Sequence, residues 1–232
     1  MQDHPSLTTR AIVGGKTKST DCIRAIIGER VEVAEAIRIR RARRVLSDKP
    51  IESEKVDALI EAMRLSASCF NNQPWRVTLC MGPEALPAIK TALSKGNVWA
   101  TPAPLIMVIS ARPPDDCQLS EKRDYFLFST GLAVGQMELR ATELGLVCHP
   151  IAGYDPVKAK QLLGVPEDYI VITFVIIGYP STDSSFLSDK QKAQELVRPE
   201  RKPIGENFFL DKWAAPTSEL SAPLDQFRPV LV

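Results

Sequence analysis

The chain reads as an α+β fold, with helices flanking a mainly antiparallel or mixed sheet. Three observations carry that reading. Val56, Leu59, Ile60 and Met63 recur at helical spacing, whereas Trp75, Val77 and Leu79 alternate with Arg76, Thr78 and Cys80 as a strand does. Helix and strand patterns then mix along the chain without a strict β-α-β alternation, and no internal repeat appears. No G-x-G-x-x-G opens a helix after a strand, which argues against a Rossmann dinucleotide site.

Composition narrows the class. With 232 residues, one domain is the default, and a sizeable core fits within it. The net charge of +1 points to neither nucleic acid nor an anionic membrane. The five cysteines are an odd number without a C-x-x-C pair, which suggests reduced thiols and a cytoplasmic location. No apolar signal segment opens the chain, and the longest apolar run, residues 170–177, is too short to span a bilayer. The division expected is a flexible arm over residues 1–20, a single domain over 21–213 and an extended proline-rich tail over 214–232.

Taken in order, Ile23, Ile26 and Ile27 begin an apolar pattern that Gly28 interrupts. Residues 32–44 read as a helix ending in Arg38, Arg40, Arg41, Arg43 and Arg44, with Arg40, Arg41 and Arg44 able to share a face. Like charges so close call for an anion, and guanidinium forks match phosphate oxygens. A solvated face, a nucleic-acid patch and a phosphate site all fit this cluster. Ser53 is the expected N-cap of the next helix. A polar loop, S-A-S-C-F-N-N-Q-P-W-R over residues 66–76, joins that helix to the first strand. Its side-chain amides, Asn71, Asn72 and Gln73, are donors and acceptors at once and suit a flat heterocycle, although stitching of the loop itself is the plainer use.

Residues 83–93 then read as a short helix, 105–109 as a buried strand, and 111–123 as an aperiodic loop of a length that is often functional. Residues 125–144 form the longest helical pattern, and its Gly131 and Gly135 make a G-x-x-x-G whose cost makes sense if another helix approaches closely. Residues 147–151 lead into P-I-A-G-Y-D, after which Asp155, Pro156 and Gly164 mark the cap, first turn and end of a helix. Residues 170–177 are a central strand, and 189–196 one or two helical turns. Cys148 and His149 are neighbours, but strand neighbours face opposite ways, and His4 is the only other histidine, so neither a thiol–imidazole pair nor a metal site is expected.

Four segments, R-R-A-R-R at 40–44, N-N-Q-P-W at 71–75, P-I-A-G-Y-D at 150–155 and R-K-P at 201–203, resemble in kind and order those of the nitroreductase family of flavoproteins. The resemblance implies an intertwined homodimer binding FMN, with hydride passing from NADH or NADPH to the flavin and two electrons then passing to a small organic acceptor such as a nitroaromatic or quinone. It implies that Arg40, Arg41, Arg201 and Lys202 hold the phosphate beside Ala42, where the family usually has a hydroxyl, and that Arg44 sits by the pyrimidine edge. Ser68, Cys69, Asn71 and Asn97 would reach the flavin, Pro150 and Ile151 would pack on the ring, and the Ala152 and Gly153 amides would point at N5 and O4. No side chain is needed as a catalytic group or metal ligand, because the flavin carries the chemistry. A small-molecule acceptor and a second copy of the chain are then the partners, with no nucleic acid and no membrane. A flavin-binding or nucleic-acid-binding module without turnover, built on the 38–44 cluster, is the alternative.

Overall fold

A computed structural model of the chain describes residues 31–213. The arm at 1–20, the pattern near Ile23 and the tail from 214 lie outside the described residues. Four strands form one antiparallel sheet: β1 (Arg76–Cys80), β2 (Leu105–Ala111), β3 (Val147–Ile151) and β4 (Ile170–Gly178), in the order β1-β2-β4-β3. The two central strands, β2 and β4, are the two continuous apolar runs of the sequence, because a strand covered on both faces has no polar side to show.

Alternation along the strands sorts the core into two halves. Ile106, Val108, Phe174, Ile176, Val147 and Ile151 face one side and pack with Ile89 of α3 (Ala85–Lys90), with Trp99 and with Ala159 of α5 (Pro156–Leu163). Leu105, Met107, Ile109, Val175, Ile177 and Cys148 face the other. There they meet Val56, Leu59 and Met63 of α2 (Ser53–Arg64) and Ala133, Met137 and Ala141 of α4 (Tyr125–Glu143). The result is a helix–sheet–helix sandwich in the α+β class.

Several local signals are realised directly. The Asp155 side chain accepts from the Lys158 N–H at the start of α5, and Gly164 ends that helix at φ +63°, where a side chain would be strained. Ser188 and Gln191 make a reciprocal capping box on α6 (Asp189–Leu196). Three expectations need correction. The first described helix, α1, covers only Val33–Ile39; Arg40 leaves it at ψ 127°, so the arginines run along an extended segment and share no helical face. Ser53 is the first residue of α2, and its neighbour Glu52 takes the N-cap position without a side-chain cap. The cysteines are not all reduced, since Cys69 and Cys117 are joined in a disulfide.

The long helix α4 is two-sided. Phe126, Ala133, Val134, Met137 and Ala141 are buried, while Leu127, Phe128, Gly131 and Leu132 are exposed. A Cβ built on Gly131 or Gly135 would meet no atom within 4 Å. The close approach that the G-x-x-x-G suggests is therefore not made by the described part of this chain. Beyond α7 (Ile204–Asn207), Phe208 and Trp213 are likewise exposed, the latter to 87%.

Candidate functional site: an arginine-lined cleft

The extended segment 40–44 lies against the chain that follows α6. Arg41 donates to the carbonyls of Gln194 (3.4 Å) and Glu195 (3.0 Å), and Arg43 pairs with the Glu195 carboxylate at 2.7 Å. The same carboxylate accepts from the Arg44 backbone N–H at 2.9 Å, and Arg198 donates to the carbonyls of Arg38 and Arg40. Glu195 is thus the clasp between two segments about 150 residues apart. Between them opens a cleft of about 290 Å³ lined by Arg40, Arg41, Ala42, Arg44, Gln194, Arg198, Pro199 and Arg201.

Charge in this cleft is unbalanced. Among the described residues, Arg40 has a carboxylate partner, Glu138 of α4, at 3.2 Å. Among these described residues, Arg41 and Arg198 give hydrogen bonds only to backbone carbonyls, and Arg44 and Arg201 form no ion pair. Burial holds the Glu138 carboxyl above its ordinary range, with Arg40 working the other way. Four guanidiniums converging without a countercharge are a donor set for an oxyanion, and their planar forks fit phosphate better than lysines would. A larger cleft of about 420 Å³ is lined by Lys90, Asp48 and Asp183 among others, so it holds both signs of charge.

The cleft runs on into the core through an aromatic bridge. The Arg44 guanidinium lies 6.0 Å from the centre of the Trp99 ring, and His149 stacks on that ring at 4.7 Å. His149 Nδ1 is 2.8 Å from the Arg43 carbonyl, which can only accept, so Nδ1 carries the proton. Burial pushes the His149 pKa down, which keeps the imidazole neutral. Trp99 Nε1 donates to Asn97 Oδ1 at 3.0 Å, and Asn97 Nδ2 donates to the Gly153 carbonyl at 2.8 Å. A Cβ on Gly153 would overlap Asn97 Nδ2 and lie 2.7 Å from Ser94 Oγ, so any other residue there would push these side chains aside.

Of the residues singled out in the sequence, Arg40, Arg41, Ala42, Arg44 and Arg201 therefore share one cleft, and Asn97 and Gly153 join it through Trp99. Lys202 does not line it; its ammonium pairs with Glu206 at 3.4 Å. Ile151 points into the first half of the core, Pro150 is half-buried beside it, and Ala152 is exposed. Ser68, Cys69 and Asn71 line no part of the cleft. They sit on a loop whose backbone takes positive φ at Phe70 (46°), Asn71 (60°) and Gln73 (48°), each such non-glycine residue costing on the order of 1 kcal/mol or more. Ser68 Oγ accepts from the Gln73 N–H, and Gln73 Nε2 donates to the Asn71 carbonyl. Cys69 is held in the disulfide to Cys117, so it has no thiol to offer a ring. Sequence reading missed Gln194, Glu195 and Arg198; the R-P-E-R-K-P run over 198–203 was the available signal, and Glu195 carried none.

Residues 37–101 and 88–179 match the sequence profile described as the nitroreductase family. The chain belongs to that family. Among its members, a protein of Archaeoglobus fulgidus named as a candidate NADH dehydrogenase/NAD(P)H nitroreductase is 28% identical over 175 residues, which cover 73% of this chain and 95% of that one. The FMN reductase (NAD(P)H) of Bacillus subtilis is 25% identical over 170 residues, covering 66% of this chain and 68% of its own. The nitroreductase fold is also found in a crystal structure described as an oxidoreductase containing FMN. That structure superposes with a TM-score of 0.70 at 23% identity, over 82% of this chain and 96% of that one.

Proposed function

We propose that this nitroreductase-family chain is an FMN-dependent oxidoreductase that takes hydride from NADH or NADPH and passes two electrons to a small organic acceptor. The observation that carries the reading is the cleft itself: four uncompensated guanidiniums around a small concave space. A single phosphate with a flat ring attached fits such a space, and the names borne by the relatives point to the same cofactor. A nucleic-acid groove would instead need an extended basic track with stacking aromatics, and the ring that the described residues place beside these arginines, Trp99, is buried.

FMN, when bound, supplies the hydride chemistry. The chain's own residues bind and orient it. Arg41, Arg198 and Arg201 hold the phosphate, with Arg40 contributing the part of its fork that Glu138 leaves free. The cleft offers no hydroxyl at Ala42, so backbone and guanidinium donors do that work. Arg44, 6.0 Å from the centre of the Trp99 ring, would serve the flavin's pyrimidine edge, where a cation favours added negative charge. Asn97 holds the turn at 152–153 in place through the Gly153 carbonyl.

A second copy of the chain supplies the remaining part of the site in this reading, with Ser68 and Asn71 reaching across; the loop at 66–73, apart from the cleft, and the exposed face of α4 support it. Obligate interfaces of this sort bury roughly 2,000 Å² or more in total. The test is direct. The full-length protein should purify yellow, release FMN on denaturation, sediment as a dimer and bleach anaerobically on addition of NADH or NADPH. Released FAD, or no flavin after reconstitution, would overturn the reading; bound FMN that neither nucleotide reduces would leave a binder and remove the enzyme.

A further inference from the structure

The loop at 66–73 and the start of β1 after it are tied at three points to the segment 112–124, and one of the ties is covalent. Asn72 Nδ2 donates to Asp116 Oδ1 at 3.2 Å, Arg76 pairs with Asp115 at 3.2 Å, and Cys69 is bonded to Cys117 across 48 residues of sequence. Phe70, next to Cys69, is 91% exposed and holds a positive φ, so neither packing nor backbone preference keeps it where it is. We propose that the Cys69–Cys117 bond is a reversible thiol–disulfide latch that fixes the 66–73 loop, and with it the place of Phe70 and Asn71, for the electron acceptor; the second half of this statement rests on the oxidoreductase reading above.

The contrast with the other described cysteines supports it. Cys80 and Cys148 are buried inside the two halves of the core, where burial pushes the Cys80 thiol up to about 11 and the Cys148 thiol up as well. Neither can exchange without unfolding. Cys69 and Cys117 are both partly exposed, and a small surface cleft of about 60 Å³ reaches Cys117 between Pro113, Gln118, Lys122 and Arg123. Cationic neighbours favour an attacking thiolate there. Asp116 is 5% exposed; its Oδ1 accepts from the Asn72 amide and the Cys117 N–H, while its Oδ2 has no hydrogen-bond partner among the described residues. That carboxylate and the two sulfurs lie within 4.8 Å of one another.

The step balances with an external dithiol. Its thiolate attacks one sulfur of the Cys69–Cys117 bond and forms a mixed disulfide. Its second thiol then displaces the protein cysteine, and two electrons and two protons have moved from the dithiol to the cysteine pair. With the bond gone, noncovalent contacts such as Asn72–Asp116 and Arg76–Asp115 are left to tie a loop that carries three positive-φ residues to the 112–124 segment.

The experiment uses full-length protein purified without reductant, with dithiothreitol as the dithiol. Cys69 and Cys117 should escape maleimide labelling until dithiothreitol is added, then label together and reclose with oxidised glutathione. Hydrogen exchange at residues 66–73 should rise on reduction, and the C69S/C117S variant should show the reduced behaviour without responding to dithiothreitol. Those two readouts need no flavin. If the oxidoreductase reading also holds, reduction should change the KM for a nitroaromatic or quinone by at least severalfold. Cysteines that label without reductant, loop exchange indifferent to reduction, or stoichiometric zinc held by the pair and Asp116 would each overturn the latch. A responsive loop in a protein without flavin would instead overturn the oxidoreductase reading and leave the loop latch standing.

Discussion

Two polar segments looked alike in the sequence and behave differently in the fold. The arginines at 40–44 are closed in by their own chain: Glu195, Glu138, Arg198 and Trp99 fix each of them from a different element. At 71–73, Gln73 bonds within the loop and Asn72 reaches Asp116 across 44 residues, with Phe70 in solvent. If a second copy completes the site as proposed, the difference teaches that a binding site can be half assembled in one chain. The finished half shows unbalanced charge in a concave space. The unfinished half shows strained backbone, exposed aromatics and a helix face that nothing covers.

The largest effect should come from filling that face. Gly131→Leu in an isolated chain would gain roughly 0.8 kcal/mol of helix propensity and clash with nothing described. On an interface it should abolish the dimer and flavin binding together. Sedimentation and flavin content decide it, and a more heat-stable, flavin-loaded monomer would erase the contrast between the two segments.

Arg41→Ala and Arg198→Ala should each weaken FMN binding by about tenfold to a hundredfold, the worth of one charged hydrogen bond. Fluorescence titration of the apoprotein measures it. Arg40→Ala is a less clean probe, because it also strands the partly buried Glu138 carboxylate. If Ser68→Ala weakened FMN binding as much as Arg41→Ala did, the two segments would not differ as described.

Arg44→Ala should act on redox balance more than on affinity. A cation at the pyrimidine edge favours the more negative reduced ring, and its loss should lower the flavin potential by roughly 30–60 mV with FMN held saturating. An unchanged potential would move Arg44 to the phosphate.

The smallest effect is a pH slope from His149. Its folded pKa lies below the ordinary 6.5 because it is buried. Below that value the unfolded histidine takes up a proton that the folded one refuses, so stability should fall as pH drops through 6.5 and level off below the folded pKa. One group contributes at most about 1.4 kcal/mol per pH unit. Glu138, raised by burial, tilts the curve the other way above its ordinary 4.5, so the difference between wild type and His149→Phe isolates the histidine. Parallel denaturation midpoints from pH 5 to 7 would show that His149 is not buried neutral.

Much of the sheet and the long helix could be read from periodicity, because two-sided burial and amphipathic spacing are local properties of the chain. The central place of residues 170–178 followed from an apolar run with no polar alternation. The helix end at Ile39 could not be read so, since arginine is a good helix former and what pulls Arg40–Arg44 straight is Glu195, far along the chain. The Cys69–Cys117 pairing had no spacing signal for the same reason: partners 48 residues apart meet only through the sheet. Within the site, charge clustering picked out the arginines, whereas Glu195 and Glu138 looked like any surface glutamate. Cys69 shows the opposite error, a position assigned by resemblance whose side chain is already bonded.

The clasp made by Glu195 also has a consequence for the order of folding. Its contacts with Arg43 and Arg44 close loops of 152 and 151 residues, among the longest separations in the described chain. Contacts that distant in sequence form late, after the shorter loops of the β1–β2 pair have closed. The cleft therefore cannot exist on a nascent chain until Arg201 has emerged and α6 has docked. Cofactor capture then becomes a marker that folding is complete, and in a refolding experiment flavin quenching should trail the recovery of sheet and helix signals.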